Sequence, residues 1–325
     1  MSPIDTSAAR FLGSLPGRRK AELHLHLEGA VSARTLVDLS LRDGTGLFPS
    51  LAAVAARVPP GSPGQFLELY RDVCRHRRGP AVDARVARDL VRRLSRERVT
   101  RAEVYVSPAI LERLGLDYGE IAPALEGVFA RFEARTGSRV RILLDSVRQW
   151  GPEAAGRVLD AHERVPWRRV LGFGLGGDEA SLPARDFAGI YRRVRRLGLA
   201  PLVHAGEWAG PDSVAEALRW LRPVRVAHGF RAAEDPALLR ELARRGTFLD
   251  LCLVSNVATG ALPALAAHPA RTLLAAGVRA TLSTDDPGLF RTTLLAEYRA
   301  LARLGASGRD LRAVLRNGFD GALAG

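Results

Sequence analysis

Short apolar runs alternate with longer amphipathic stretches along the chain, the pattern of βα units repeated around a parallel sheet. The apolar runs predict strands over residues 21–27, 102–106, 140–144, 170–173, 201–204, 225–227, 247–251 and 280–282. The stretches between them predict helices over residues 118–134, 152–163, 183–196, 211–220, 236–245 and 289–303. Several open on a proline in the first turn, where its missing N–H costs nothing. Eight strands with helical crossovers predict an α/β fold, a (β/α)8 TIM barrel. Residues 32–100 hold more helix than one crossover needs, with a Pro/Gly segment at 59–64 between two helical patches. A helical insertion therefore follows strand 1, placed to act as a lid. There is no internal repeat or low-complexity tract.

Length agrees with this picture: 325 residues at 47% apolar content suit one barrel domain spanning 1–325. No stretch approaches the roughly 18 uninterrupted apolar residues of a membrane helix, and no basic region followed by an apolar run opens the chain. A soluble, cytoplasmic protein is expected. Cys74 and Cys252 have no CxxC spacing and are too few for a disulfide framework, which fits a reducing compartment and two buried thiols. The net charge of +13 raises the question of a nucleic-acid or membrane partner. Its distribution argues against both, since every basic residue except Lys20 is arginine, scattered among carboxylates on the helix faces.

Candidate chemistry gathers where candidate strands end, the rim on which barrel enzymes build their sites. In Leu23-His24-Leu25-His26-Leu27 the two histidines are two apart, so both imidazoles point to one side of the strand and the leucines to the other. They read either as a satisfied interior pair or as metal ligands, and two polar rings side by side in a barrel are costly unless something binds them. His204-Ala205-Gly206-Glu207 ends a strand with an imidazole and brings an acid across a glycine turn. Ala227-His228-Gly229 repeats the pattern, although His228 alone is equally a capping or core residue. Ser283-Thr284-Asp285-Asp286-Pro287, alone, is an ordinary turn or helix cap. Together, three imidazoles and a carboxylate from strands 1, 5 and 8 match the ligand set of catalytic zinc. No lysine on a later strand is available to bridge two metals, so a single ion is expected. HExxH is absent, as are HxE with PCxxC and any phosphate-binding GKS/T loop. The glycine-rich run 172–177 is close to a dinucleotide fingerprint but sits at strand 4, where it is equally a tight turn.

These residues resemble the adenosine and adenine deaminase family of amidohydrolase barrels from about Lys20 onward. The motifs are Ala21-Glu22-Leu23-His24-Leu25-His26-Leu27-Glu28-Gly29, Gly176-Gly177-Asp178-Glu179, His204-Ala205-Gly206-Glu207, Ala227-His228-Gly229, Ser255-Asn256 with Thr259-Gly260, and Thr284-Asp285-Asp286-Pro287. The resemblance implies one zinc held by His24, His26, His204 and Asp285, with a water as the remaining ligand and the nucleophile at purine C6. It also implies that His228 orients and deprotonates this water and that protonated Glu207 donates to ring N1. His26, Glu28, Gly177 and Asp286 would contact substrate, Asp286 at N7 and the Gly177 N–H at N3.

Two departures bear on the substrate. Adenosine deaminases usually carry aspartate where this chain has Glu28, which looks like the adenine and 6-aminodeoxyfutalosine branches. The free-base enzymes typically show Ser-Ser-Glu at strand 4, whereas Gly176 to Glu179 looks like the nucleoside branch. The combination favours 6-aminodeoxyfutalosine, an intermediate of the futalosine route to menaquinone, over adenosine and then adenine. Leu253 also stands where the family usually has proline. A catalytically silent purine-binding barrel is the rival from another class, disfavoured because every implied ligand and Glu207 are present.

Overall fold

The computed structural model describes residues 4–324. Among them eight parallel strands stand in chain order, each hydrogen-bonded to the next: β1 (Lys20–His26), β2 (Val99–Val106), β3 (Arg139–Val147), β4 (Val170–Gly176), β5 (Ala200–Ala205), β6 (Arg225–His228), β7 (Phe248–Leu251) and β8 (Arg279–Leu282). The ring closes where the chain beyond β8 meets β1. There the His26 N–H donates to the Asp285 carbonyl at 2.9 Å and the Asp285 N–H to that of His24 at 3.1 Å. This is the (β/α)8 TIM barrel expected from the alternation.

The strand interiors explain the polarity of the barrel. Leu23 and Leu25 of β1 are fully buried, while His24 and His26 alternate with them and face inward. The opposite, N-terminal end is filled by charge. Buried Arg225 pairs through Nε with Asp250 at 2.9 Å and through Nη2 with Glu103 at 2.5 Å, and it also donates to the Gly321 and Leu23 carbonyls. Lys20 lies at this end too, its Nζ donating to the carbonyls of Leu15 and Arg18 at 3.0 and 2.8 Å, far from a bridging position among the histidines.

Several element ends differ from the pattern reading. The glycine-rich run is strand rather than turn up to Gly176, because the barrel needs its missing side chains. A Cβ on Gly172 would lie 2.8 Å from Leu202, and one on Gly174 only 2.6 Å from the Tyr105 ring. The helix expected from 289 begins at Leu294, capped by the Thr293 hydroxyl, which accepts from the Ala296 N–H at 3.1 Å. Leu289 and Phe290 instead bury in a turn closed on the Asp286 carbonyl. The helix expected over 183–196 splits into a 3-10 turn, Ala184–Phe187, and a helix, Ala188–Arg196. That over 211–220 loosens into a π turn, Ala217–Leu221.

Between β1 and β2 stand the helices Ala33–Arg42, Leu51–Arg57, Pro63–Cys74 and Pro80–Arg96. The last makes the crossover to β2, and the others form the expected insertion. Pro63–Cys74 roofs the C-terminal rim, tied down where the Gly61 N–H donates to the Ala258 carbonyl at 2.7 Å. Among the described residues no helix is long and apolar enough to cross a membrane.

Candidate active site

Four donor atoms converge inside the C-terminal rim. His24 Nε2 stands 3.3 Å from His26 Nε2, 3.2 Å from His204 Nε2 and 3.2 Å from Asp285 Oδ1, and His26 Nε2 stands 3.4 Å from the same carboxylate oxygen. Three imidazole nitrogens facing one another cannot all be satisfied by sharing protons. A tetrahedral zinc with bonds of roughly 2.0–2.1 Å sets its ligands about 3.3 Å apart, so these residues fit such an ion. Burial depresses His26 to about 4, and burial together with the other imidazoles puts His204 well below its usual value. Burial alone would raise the Asp285 carboxyl, but His24, His228 and His26 outweigh it and hold it well below the carboxylate range. Neutral imidazoles and an ionised carboxylate are the protonation states that ligate a metal.

Local structure aims each group. Tyr105, paired with His26 in the β1–β2 register, stacks on the His26 ring at 4.9 Å and meets the His24 ring edge-on at 5.3 Å. Ser255 Oγ donates to Asp285 Oδ2 at 2.6 Å, leaving Oδ1 turned to the histidines. His228 and Asp285 adopt left-handed backbone conformations, with φ of 60° and 63°. Non-glycine residues held there cost on the order of 1 kcal/mol or more, a strain that concentrates at functional sites.

Beside the four donors lies a cavity of about 560 Å³ lined by His26, Gly177, Glu207, His228 and Asp286 among others. Glu207 Oε2 approaches His228 Nε2 at 3.5 Å. Burial, Asp285 and Glu179 push the Glu207 carboxyl well above the usual range, and burial, Asp285 and Glu28 do the same to Asp286. Both therefore hold protons at pH values where an ordinary carboxylate has lost them. A proton donor next to a cage for a divalent ion is the equipment of hydrolysis at an electron-poor carbon.

The adenosine deaminase family model matches residues 19–325. The chain belongs to the adenosine deaminase family. It is a hydrolytic deaminase, an aminohydrolase of the amidohydrolase barrels. Among its relatives, an aminodeoxyfutalosine deaminase of Acidothermus cellulolyticus is 35% identical over 300 residues, covering 90% of this chain and 84% of the relative. An adenine deaminase of Chelativorans sp. is 35% identical over 283 residues, covering 87% and 86%. Among solved structures, a zinc-bound amidohydrolase from Burkholderia ambifaria superposes with a TM-score of 0.89 at 25% identity, covering 100% of this chain and 90% of that one.

Of the deaminase residues expected from sequence, His24, His26, His204, His228, Glu207, Asp285, Asp286 and Gly177 meet around the cavity. Gly29 makes room for this, since a Cβ there would collide with the Asp286 carboxylate at 1.8 Å. Glu28 is placed differently. Its carboxylate accepts from buried Arg77, which also holds Asp83, and it does not line the large cavity. Pattern reading missed the role of Glu179, whose carboxylate accepts from the backbone N–H groups of Gly206, Glu207, Trp208 and Ala209. It also missed Asp145, which lines the cavity just beyond the apolar run of β3 and whose Oδ1 has no hydrogen-bond partner among the described residues. Cys252, expected only to be buried, comes within reach of His24 and Asp285, but burial raises its thiol far above neutrality, so it offers no thiolate.

Proposed function

We propose that this enzyme is a zinc-dependent purine nucleoside deaminase, removing the 6-amino group of an adenine nucleoside as ammonia, with one zinc per chain. The observation that carries the reading is the convergence of His24, His26, His204 and Asp285 within 3.2–3.4 Å beside the high-pKa carboxyl of Glu207. The zinc of the Burkholderia relative supports the choice of ion. Bound zinc supplies a water acidified toward neutral pH. Glu207, kept protonated by burial and by Asp285, donates to ring N1 and makes C6 electrophilic. Asp286, also protonated, donates to N7, and the Gly177 N–H, presented by a backbone at φ 95°, meets N3. His228, whose Nε2 stands 3.5 Å from Glu207 Oε2, would face the attacking oxygen.

For the substrate we favour 6-aminodeoxyfutalosine, placing the enzyme in menaquinone biosynthesis, with adenosine second and free adenine third. The cavity of about 560 Å³ is of the size that encloses drug-sized ligands, more than a bare base fills. Relatives named for aminodeoxyfutalosine and for adenine match the chain equally well, so the combination of Glu28 with Gly176 to Glu179 and the size of the cavity, not overall identity, carry the choice. Contact between Glu28 and the sugar requires that its ion pair with Arg77 open or be shared. Side-by-side rates on the three substrates test the reading, and adenine as the fastest would overturn the nucleoside assignment. In the Glu207→Gln variant zinc analysis should read one ion per chain while ammonia release collapses by at least about 10²-fold. Full activity in that variant would remove Glu207 from its role.

A further inference from the structure

The proton on His228 is placed by a chain of hydrogen bonds that begins outside the site. The Ala270 backbone N–H, which can only donate, points at His268 Nδ1 from 3.1 Å. His268 Nδ1 is therefore an acceptor, and the neutral ring carries its proton on Nε2. That Nε2 stands 3.3 Å from Asn256 Oδ1, which accepts and so turns the amide NH2 the other way. Asn256 Nδ2 then donates to His228 Nδ1 at 3.1 Å. A donor at this position also suits Glu207, whose carboxyl Asn256 holds down against the effect of burial. His268, Asn256 and His228 are buried, with exposures of 4%, 0% and 1%, so no bulk water offers an alternative partner. An accepting Nδ1 carries no proton, so the chain of bonds itself makes both rings neutral.

We infer that His268 and Asn256 are positioning residues that lock His228 in the Nε2–H tautomer, so that His228 offers the attacking oxygen a hydrogen bond, while the proton of that oxygen goes to Glu207 once Glu207 has given its own to ring N1. A neutral imidazole with hydrogen on Nε2 has no lone pair there to act as a base. Its N–H faces Glu207 Oε2 at 3.5 Å and Asp285 Oδ2 at 3.9 Å, and an oxygen between these groups receives the bond. The inference rests on the deaminase reading for its consequence in turnover, but the tautomer itself does not depend on it.

The deciding variant is Asn256→Asp. A carboxylate in place of the amide accepts from both histidines and draws the His228 proton to Nδ1, leaving a lone pair on Nε2. A general base would be helped by this change, whereas a hydrogen-bond donor is lost by it. We expect kcat to fall about 10²-fold or more, as when one oriented donor is removed, with zinc content and KM unchanged. Retained or increased kcat in Asn256→Asp would overturn the inference. Nitrogen NMR of histidine-labelled wild-type enzyme reads the tautomer directly, with or without turnover. A protonated Nε2 and bare Nδ1 on His228 are expected, and the reverse pattern overturns the assignment even if the variant fails to fold. His268→Phe removes the anchor and should blur that pattern into two tautomers with a smaller loss of kcat. A wild type inactive on every 6-aminopurine would refute the deaminase reading while leaving the NMR result to stand by itself.

Discussion

The side chain of Glu179 grips the main chain of Glu207: one carboxylate oxygen accepts the Glu207 N–H at 3.0 Å and those of Trp208 and Ala209 at 2.9 and 3.0 Å. A residue in the loop after β4 thus fixes the loop that follows β5 and the acid it carries. Charge-assisted bonds of this kind are worth about 1.5–3 kcal/mol each, with losses that do not simply add. Glu179→Gln keeps the shape but not the charge and should destabilise the fold by about 2–4 kcal/mol. Thermal unfolding and faster amide exchange at 206–209 measure this, and an unchanged exchange rate would show that the grip is dispensable.

With Glu207 as the proposed acid, its proton should set the pH dependence of turnover. Its carboxyl is raised well above the usual range, so the active acid form persists into pH values where an ordinary glutamate is ionised. Rate should therefore hold at lower pH and decline as pH rises through the elevated value. A profile of kcat against pH measured on zinc-saturated enzyme checks this. A decline already complete near the ordinary glutamate range contradicts the assignment.

Buried His268 should give the metal-free protein a stabilisation that acid removes. His26 and His268 are held near 4 and His228 near 3 by burial, whereas unfolded histidine titrates near 6.5. Between those values the histidines bind protons in the unfolded chain but not in the folded one, a contribution that weakens with acid and is opposed by Glu207 and Asp286, whose raised carboxyls bind protons first in the folded chain. The stabilisation is present above about pH 6.5 and is lost toward pH 4 and below. The melting-temperature deficit of the His268→Phe apoprotein relative to wild type should therefore shrink as pH falls across that window, and a deficit independent of pH would mean that this imidazole is less buried than described.

Gly174→Ala should disturb the metal cage without touching a ligand. The added carbon would lie 2.6 Å from the Tyr105 ring, which in turn stacks on His26. Overpacking of this kind costs about 1–3 kcal/mol. We expect a lower melting temperature and weaker zinc retention against a chelator. Retention equal to wild type would show that Tyr105 yields without moving His26.

How much was legible before the structure follows from how local each cause is. The spacing of His24 and His26 places both on one face of a strand by geometry alone, and the helix Pro236–Arg245 is bounded by a proline and by Gly246 at φ 66°. The last crossover helix starts later than its pattern predicts because Leu289 and Phe290 look like a helix face but bury in a turn, leaving Thr293 as the cap. The glycines of β4 could not be interpreted from their own neighbours, since they answer to Tyr105, Leu143 and Leu202 on other strands. The ion pair of Glu28 is legible only in the fold, because nothing near it in the chain announces Arg77, 49 positions away. Glu179 and the pair Asn256 and His268 act through contacts that exist only once the rim is assembled.

The roof over the cavity comes from a different part of the chain than the cage beneath it. Phe66, Tyr70 and Arg71 hang from Pro63–Cys74, while the nitrogen and oxygen donors sit on strand ends that the barrel cannot move. Selectivity can therefore drift with the insertion while the reaction stays put. Exchanging that one helix between relatives named for different purines should transplant preference without rebuilding the chemistry.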